Sequence, residues 1–426
     1  MSQLAIPRCL DEWLVHIERV HSRPIDLGLR RVERVKTALG IAQRAPVVTV
    51  GGTNGKGSTC AMIERILRCA GYRTCLYTSP HLLRYNERVS VAGVPVDDVT
   101  LCRAFEEVEA ARGDTPLTYF EFGTLAAWQI FAASRPDVLI LEVGLGGRLD
   151  AVNCFDCDCA VITSVDVDHT EFLGSDRESI GFEKAGIFRP GKPAIVSDPN
   201  PPRSVVDHAR RLAADLRLIG KDFGFTSERH QWQYWERTGE RIQRRGGLAH
   251  PGLRGAEQLH NAAAAIAAVG ALQEAAPVSM QDIRRGLLEV EWPGRFQVLP
   301  GRPIVVLDVA HNPQAAGMLA GNLGNMGYHP ETWAVFGILS DKDVAGVIER
   351  IGARIDHWLL TSLPGPRGTS AENLRQALAR GGIRDAACFE TPAAAYAFAR
   401  DHASEDDRIV VFGSFLTVAE VMRVLA

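Results

Sequence analysis

The sequence predicts an α/β protein carrying two mostly parallel sheets in successive domains, and three observations predict it. Short apolar runs without alternation, such as Val47–Val50, Asp137–Val143 and Arg408–Phe412, suit strands covered on both faces. Helical patterns lie between them, as the crossover connections of parallel strands require. The same rhythm restarts after Trp292-Pro293-Gly294-Arg295, a break that divides the chain into residues 1–294 and 295–426.

The elements follow in order. Residues 1–45 read as helices around a polar break at Pro24-Ile25-Asp26-Leu27-Gly28-Leu29. Val47–Val50 is a β-branched strand, followed by the glycine-rich stretch Gly51–Thr59 and a helical pattern from Cys60 to Cys69. Thr74–Tyr77 is a second strand, ending in Thr78-Ser79-Pro80-His81. Tyr119–Ala133 reads as an amphipathic helix, Asp137–Val143 and Ala160–Val165 as buried strands, Ile180–Phe188 as a short helix and 194–197 as a strand. The polar, Arg-rich stretch 222–250 predicts a small antiparallel excursion, and a long Ala-rich helix runs from Ala256 to Glu274. In the second part Ile304–Val309, Trp333–Ile338, His357–Leu360 and Arg408–Phe412 are strands.

Composition narrows the function. The chain has 426 residues, 46% hydrophobic and 23% charged, which excludes disorder and a disulfide scaffold as its main description. A net charge of −4 leaves no basic excess to neutralise a nucleic-acid backbone, so no nucleic-acid partner is expected. The N-terminal residues lack a basic end followed by an apolar run, and the longest small-apolar run, Ala262–Leu272, is too short to span a bilayer. A cytoplasmic protein without a membrane partner is expected. Nine Cys suit a reducing compartment, and Cys154, Cys157 and Cys159 lack the fourth ligand a zinc site needs, so free thiols are the better reading.

Ligands of parallel sheets bind beyond the carboxyl ends of strands, so polar residues placed there matter first. Thr53, Asn54, Gly55, Lys56, Gly57 and Ser58 lie between a strand and a helix. Such a loop turns backbone N–H groups toward phosphate, the helix N-terminus adds partial positive charge, Lys56 reaches the β- and γ-phosphates, and the Ser58 hydroxyl can meet Mg²⁺. Gly57 separates Lys56 from the hydroxyl, a departure from the usual phosphate-loop spacing. The N-terminal domain is therefore P-loop NTPase-like, and the smaller C-terminal domain Rossmann-like α/β. Glu142 interrupts an apolar strand at its carboxyl end, which suits either Mg²⁺ beside the loop or an ion pair with an Arg. Ser79 follows a strand and offers a hydroxyl to the same ion. His169 also follows a strand, but imidazole is an uncommon Mg²⁺ ligand, so residue type alone does not assign it. Only six of the 47 basic residues are Lys (36, 56, 184, 192, 221 and 342), which singles them out for lysine-specific chemistry.

The variant loop resembles the ATP loop of the Mur ligase superfamily of ATP-dependent carboxylate–amine ligases. Further motifs are similar to its dihydrofolate synthase/folylpolyglutamate synthase branch. They are Tyr77-Thr78-Ser79-Pro80-His81-Leu82 with Glu87-Arg88-Val89, Leu117–Thr124, Leu141–Asn153 with Val152 in place of the usual Thr, Asp168-His169-Thr170, Glu183–Ile187, Pro293–Phe296 and Asp308–Pro313. The resemblance runs from about residue 25 to the C-terminus.

It implies ATP-dependent addition of L-glutamate to dihydropteroate and to reduced folates through an acyl phosphate, forming ADP and phosphate. Its partners are then small molecules (ATP, L-glutamate, dihydropteroate and reduced folates), and the chain is expected to be a monomer. It further implies two Mg²⁺ ions, held by Ser58, Ser79, Glu142, His169 and a carbamylated Lys184. An uncarbamylated Lys184 paired with Glu183 or a phosphate stays open. Nucleotide contacts implied across a domain cleft are Arg295 and Asp308, with Asn261 at the adenine. Lys56, Lys184, His169 and His311 are the implied catalytic set. His311 and Ser414 both follow strands without an assigned step. Pterin contacts are implied at Ile25, Asp26, Leu27, Gly28, Thr118, Tyr119, Phe120, Glu121, Leu149, Asp150 and Ala151. Phe120 and Phe122 either stack on the pterin or pack in the core. Folate extension alone, a Mur-type ligase on a cell-wall precursor, and a nucleotide-driven switch are the competing readings.

Overall fold

The structure is a computed structural model that describes residues 7–229 and 231–425. It divides into two compact units. One comprises residues up to Val167, Leu173–Pro251 and Leu259–Val290; the other comprises Asp168–Phe172, Gly252–Gln258 and the chain from Glu291 onward. Two short segments of the N-terminal chain therefore cluster with the second unit.

The first unit is built on β1 (Val47–Gly51), β2 (Thr74–Tyr77), β3 (Val89–Val91), β4 (Val94–Pro95), β5 (Val138–Glu142), β6 (Cys159–Ile162), β7 (Pro193–Val196) and β8 (Asp215–Leu218). Their order is β4-β3-β2-β5-β1-β6-β7-β8, parallel except at β2–β3 and β3–β4. The central strands are buried along their whole length, which explains their unalternating apolar runs. The strand expected over Ala160–Val165 ends at Ile162: the Thr163 N–H still bonds the Gly51 carbonyl of β1, but the Thr163 hydroxyl and the Ser164 carbonyl turn to the glycine-rich loop.

The helix expected over Tyr119–Ala133 runs Tyr119–Ser134, but it is not amphipathic in its first turns. Residues 121–128 are all buried, because the helix packs on Asp98–Arg112 and on the short helices before β1 as well as on the sheet. Phe122 is fully buried and its ring lies 5.7 Å from Phe105 and 6.5 Å from Trp13. This removes Phe122 as a stacking platform; it is core. Phe120 remains half-buried beside Tyr77, with ring centroids 5.9 Å apart.

The stretch 222–250 forms the antiparallel excursion: β9 (Phe223–Ser227), β10 (Trp232–Thr238) and β11 (Arg241–Leu248), in the order β11-β10-β9. The Ala-rich helix runs Gln258–Ala271, fully buried through Ala262–Val269.

The second unit carries β12 (Gln297–Leu299), β13 (Ile304–Leu307), β14 (Thr332–Phe336), β15 (His357–Thr361), β16 (Ala386–Phe389) and β17 (Arg408–Phe412). They are ordered β12-β13-β17-β14-β15-β16, with only β12–β13 antiparallel. Strands β3, β4, β8, β12 and β16 escape sequence reading because each is short or partly exposed and lacks a continuous apolar run. Among the described residues, no helix is long and apolar enough to cross a membrane.

One aromatic stack ties the Tyr119–Ser134 helix to the chain after Asp150. Trp128 and Phe155 lie face to face with centroids 3.6 Å apart, and Lys36 donates to the Cys154 carbonyl beside them. Phe155→Ala is expected to cost about 3–5 kcal/mol, since the ring is buried and its cavity would be lined by an equally fixed indole. A denaturant midpoint shift with unchanged slope is the readout.

Candidate active site

The carboxyl edge of the first sheet gathers the candidate residues. Parallel register places Val50 beside Glu142 and Gly51 beside Ile162, while Tyr77 lies beside Leu141. The chain leaving β1 therefore emerges between those leaving β5 and β6, a place where such sheets bind ligands.

The loop after β1 is tied to the segment 163–166 that leaves β6. Thr53 N donates to the Ser164 carbonyl at 2.7 Å, and the Thr163 hydroxyl donates to the Asn54 carbonyl at 2.6 Å. The Thr53 hydroxyl donates to the Asp166 carbonyl and accepts the Asp166 N–H. Gly55 then caps the helix Lys56–Cys69 at φ +88°, a left-handed conformation that glycine adopts without strain. A Cβ there would stand 2.5 Å from the Asn261 side-chain oxygen, so the Ala-rich helix closes directly over the loop.

Two lysines converge on one oxygen. Lys56 Nζ lies 3.0 Å from the Gly52 carbonyl, and Lys184 Nζ donates to the same carbonyl at 2.9 Å. Lys184 is buried on the helix Arg177–Ala185. Gly147 places that helix: a Cβ at 147 would collide with the carbonyls of Glu183 and Lys184. Arg148 completes the hold, with its N–H on the Glu183 carbonyl at 2.7 Å and its guanidinium on the Glu183 carboxylate at 2.8 Å. This leaves Glu183 to Arg148 rather than to Lys184.

Glu142 is buried at the end of β5, and its Oε2 accepts the Ser79 N–H at 3.0 Å. Among the described residues, no cluster of three or more His, Cys, Asp or Glu could hold a metal by itself. Glu142 meets Ser79 here, and Ser58 lies in the first turn of the helix Lys56–Cys69; by residue type one carboxylate and two hydroxyls are a hard-oxygen set that suits Mg²⁺ completed by phosphate oxygens. None of the nine cysteines is in a disulfide, and Cys157 donates its thiol to the Ile187 carbonyl.

The three segments expected at the pterin meet each other. Gly28 N donates to the Leu149 carbonyl at 3.3 Å. Arg31 bridges Asp26 at 2.7 Å and Glu121 at 3.0 Å. Thr118 caps the Tyr119–Ser134 helix in a reciprocal box with Glu121. Asp150 accepts the N–H groups of Leu145 and Val152, and burial pushes its carboxyl up to about 7 despite them. Glu121 and Asp150 thus shape the chain here, while Tyr119, Phe120 and Leu149 keep partly exposed side chains.

The second unit has its own constellation. Asp308, directly after β13, accepts the N–H groups of Phe296 and Ala310, and burial pushes its carboxyl up to about 6. Arg295 lies over the Phe415 ring at 5.0 Å. Ser414 bonds Leu416 N at the start of the helix Phe415–Leu425. His311 Nδ1 faces the Val309 carbonyl at 2.8 Å, so Nδ1 carries the proton. Burial, then the Lys342 charge, pushes its pKa down to about 4, which leaves Nε2 with a lone pair at neutral pH. Asp168 is gripped on both oxygens, by Lys342 at 2.8 Å and Asn312 at 3.3 Å. Burial alone would raise its carboxyl, but His169 and Lys342 outweigh it and hold it well below the usual range. His169 follows in the left-handed region at φ 52°, an uncommon conformation for a residue with a Cβ.

Residues 50–269 match the model of the Mur ligase middle domain, and residues 294–415 match the Mur ligase glutamate ligase domain. A dihydrofolate synthase/folylpolyglutamate synthase of Escherichia coli is 45% identical over 417 residues, 98% of this chain and 95% of that protein. The protein of the same name from Haemophilus influenzae is 39% identical over 99% of both chains. This chain belongs to the dihydrofolate synthase/folylpolyglutamate synthase family of Mur ligases. Solved structures agree. E. coli FolC in complex with DHPP and ADP superimposes with a TM-score of 0.93 at 43% identity, covering 99% of each chain. A bifunctional folylpolyglutamate synthase/dihydrofolate synthase with Mn, AMPPNP and L-glutamate bound gives 0.91 at 44% identity, covering 100% of each.

Within this dihydrofolate synthase/folylpolyglutamate synthase fold, sequence reading missed several residues that hold the site together. Thr163 and Ser164 carry the loop, yet hydroxyls just past a strand are common. Arg31 joins two expected pterin segments from outside both of them. Lys342 carried one signal, the scarcity of lysine, but its partner Asp168 lies 174 residues away. Glu121 is buried and takes its cation from Arg31. Arg31→Met is therefore expected to lower stability by about 2 kcal/mol, because it strands a buried carboxylate. Adding Glu121→Gln is expected to recover most of the loss in the same denaturation assay.

Proposed function

We propose that this chain is an ATP-dependent ligase that adds L-glutamate to dihydropteroate, and then to reduced folates. One observation carries the reading. β5 ends in Glu142 beside the phosphate loop, and the loop leaving β5 runs directly into Leu149-Asp150-Ala151, which meets the Ile25–Gly28 segment. A nucleotide edge and an acceptor-binding region are thus two ends of one loop. The names and ligands of the relatives support the same assignment.

In this reading Thr53–Ser58 and Lys56 receive the ATP phosphates, with Asn261 over the loop and Arg295 and Asp308 as further nucleotide contacts. A bound Mg²⁺, held by Ser58, Ser79 and Glu142, would neutralise phosphate charge during transfer. The acceptor carboxylate oxygen attacks the γ-phosphorus and ADP departs, leaving an acyl phosphate. The glutamate amine attacks the acyl carbon, phosphate leaves with the C–O bond, and the nitrogen gives up a proton. His311, a neutral imidazole with Nε2 unprotonated, is suited to accept it.

Lys184 is assigned as a carbamate, which with His169 would hold a second Mg²⁺. Two ammonium groups on one carbonyl oxygen repel each other, and carbamylation converts one of them to an anion. The carbamate nitrogen keeps an N–H for the Gly52 carbonyl.

The decisive assay is phosphate release from MgATP with L-glutamate and either dihydropteroate or tetrahydrofolate, with mass detection of the product. A glutamyl mass gain on both acceptors is expected. Gain on tetrahydrofolate alone would leave folate extension, and ATP turnover without either acceptor would point to a switch. Lys56→Ala is expected to lower kcat by about 10²–10³-fold, the scale for removing one transition-state charge partner. Lys184→Arg keeps a cation but cannot form a carbamate, and it is expected to lose activity as severely as Lys184→Ala. Short carboxylic acids should partly restore the alanine variant but not the arginine one. Near-full activity of Lys184→Arg would refute the carbamate.

A further inference from the structure

Arg88 ends the single helical turn Tyr85–Arg88 that leads into β3, and it is only 9% exposed. Its Nε donates to His81 Nδ1 at 2.9 Å, and its guanidinium lies 5.1 Å from the Tyr85 ring and 5.4 Å from the Tyr119 ring. Among the described residues, no carboxylate pairs with it, and the side-chain hydrogen bond it makes is the one from Nε. The comparably buried Arg408 is different: it spends Nε on the Thr332 hydroxyl and Nη1 on the Leu323 carbonyl. A buried cation without an anion is costly, and ring faces repay only part of that cost.

What Arg88 touches says which anion it awaits. Its carbonyl accepts the N–H of Thr78, next to Ser79 at the nucleotide edge. Tyr119, stacked on its guanidinium, belongs to the Thr118–Glu121 acceptor segment, and Phe120 follows with a partly exposed ring. With Nε committed to His81, the two Nη groups remain as a planar fork, the geometry that takes a carboxylate in two parallel hydrogen bonds. Aromatic walls beside that fork suit a carboxylate borne on a flat acyl group more than an aliphatic amino acid.

We propose that Arg88 is a substrate-binding residue that takes the carboxylate of the pterin-bearing acceptor and turns it toward the nucleotide edge, with Tyr85, Tyr119 and His81 holding the guanidinium plane. This rests on the ligase reading above. The test uses the full chain and its Arg88→Met and Arg88→Lys variants. Equilibrium binding of dihydropteroate is followed by fluorescence without turnover, alongside KM values for dihydropteroate, ATP and glutamate and the thermal midpoint. Arg88→Met is expected to weaken dihydropteroate binding at least about tenfold, leave the ATP and glutamate KM values within about twofold, and not lower the thermal midpoint, since an unpaired buried charge is removed. Arg88→Lys, which keeps the charge and stem but loses the fork, is expected to fall between them and guards against a misfolded Met variant. Unchanged dihydropteroate binding in both variants would overturn the proposal, as would a rise confined to the glutamate KM or a parallel loss of ATP affinity. Wild-type protein that binds dihydropteroate without turning it over would instead overturn the ligase reading and leave the Arg88 comparison intact.

Discussion

The insertion of β1 between β5 and β6 is the constraint on which the first unit's site depends. It forces the phosphate loop out between Glu142 on one side and Thr163 and Ser164 on the other. Those neighbours accept the Thr53 and Asn54 N–H groups and donate to the Asn54 carbonyl, which fixes the start of the loop. The same placement turns the Gly52 carbonyl toward both Lys56 and Lys184. Two lysines thereby share one carbonyl acceptor at the carboxyl edge of the sheet.

Charge organises the acceptor side differently. Arg31 is satisfied by Asp26 and Glu121, so it works as a brace between segments far apart in the chain. Arg88, a short distance along the chain from Ser79, is braced among the described residues by a histidine nitrogen and two ring faces. The contrast separates a structural arginine from one that awaits a partner, and burial alone would not have separated them. In the second unit Lys342 and Asn312 hold Asp168, which sets the turn that carries His169 in the left-handed region.

Much of this was legible beforehand, and for stated reasons. Buried parallel strands announce themselves because both faces are covered, so β1, β2, β5 and β17 were readable to within about a residue. Glycines and hydroxyls in the phosphate loop are readable because phosphate binding demands them in one local stretch. Phe122 was not: beside Phe120 it has the same chemistry, and only the helix packing sends one ring into the core and leaves the other at a surface.

The α/β class, the phosphate loop and the family to which the chain belongs are legible in the amino-acid order, because each is written in local periodicity or contiguous motifs. The pairing of charged groups emerges from the folded chain alone: Glu183 with Arg148, Glu121 with Arg31, Asp168 with Lys342, and Arg88 with no carboxylate among the described residues. The physical reason is that a side chain's electrostatic state depends on burial and on neighbours brought by other elements, and neither is encoded at its own position.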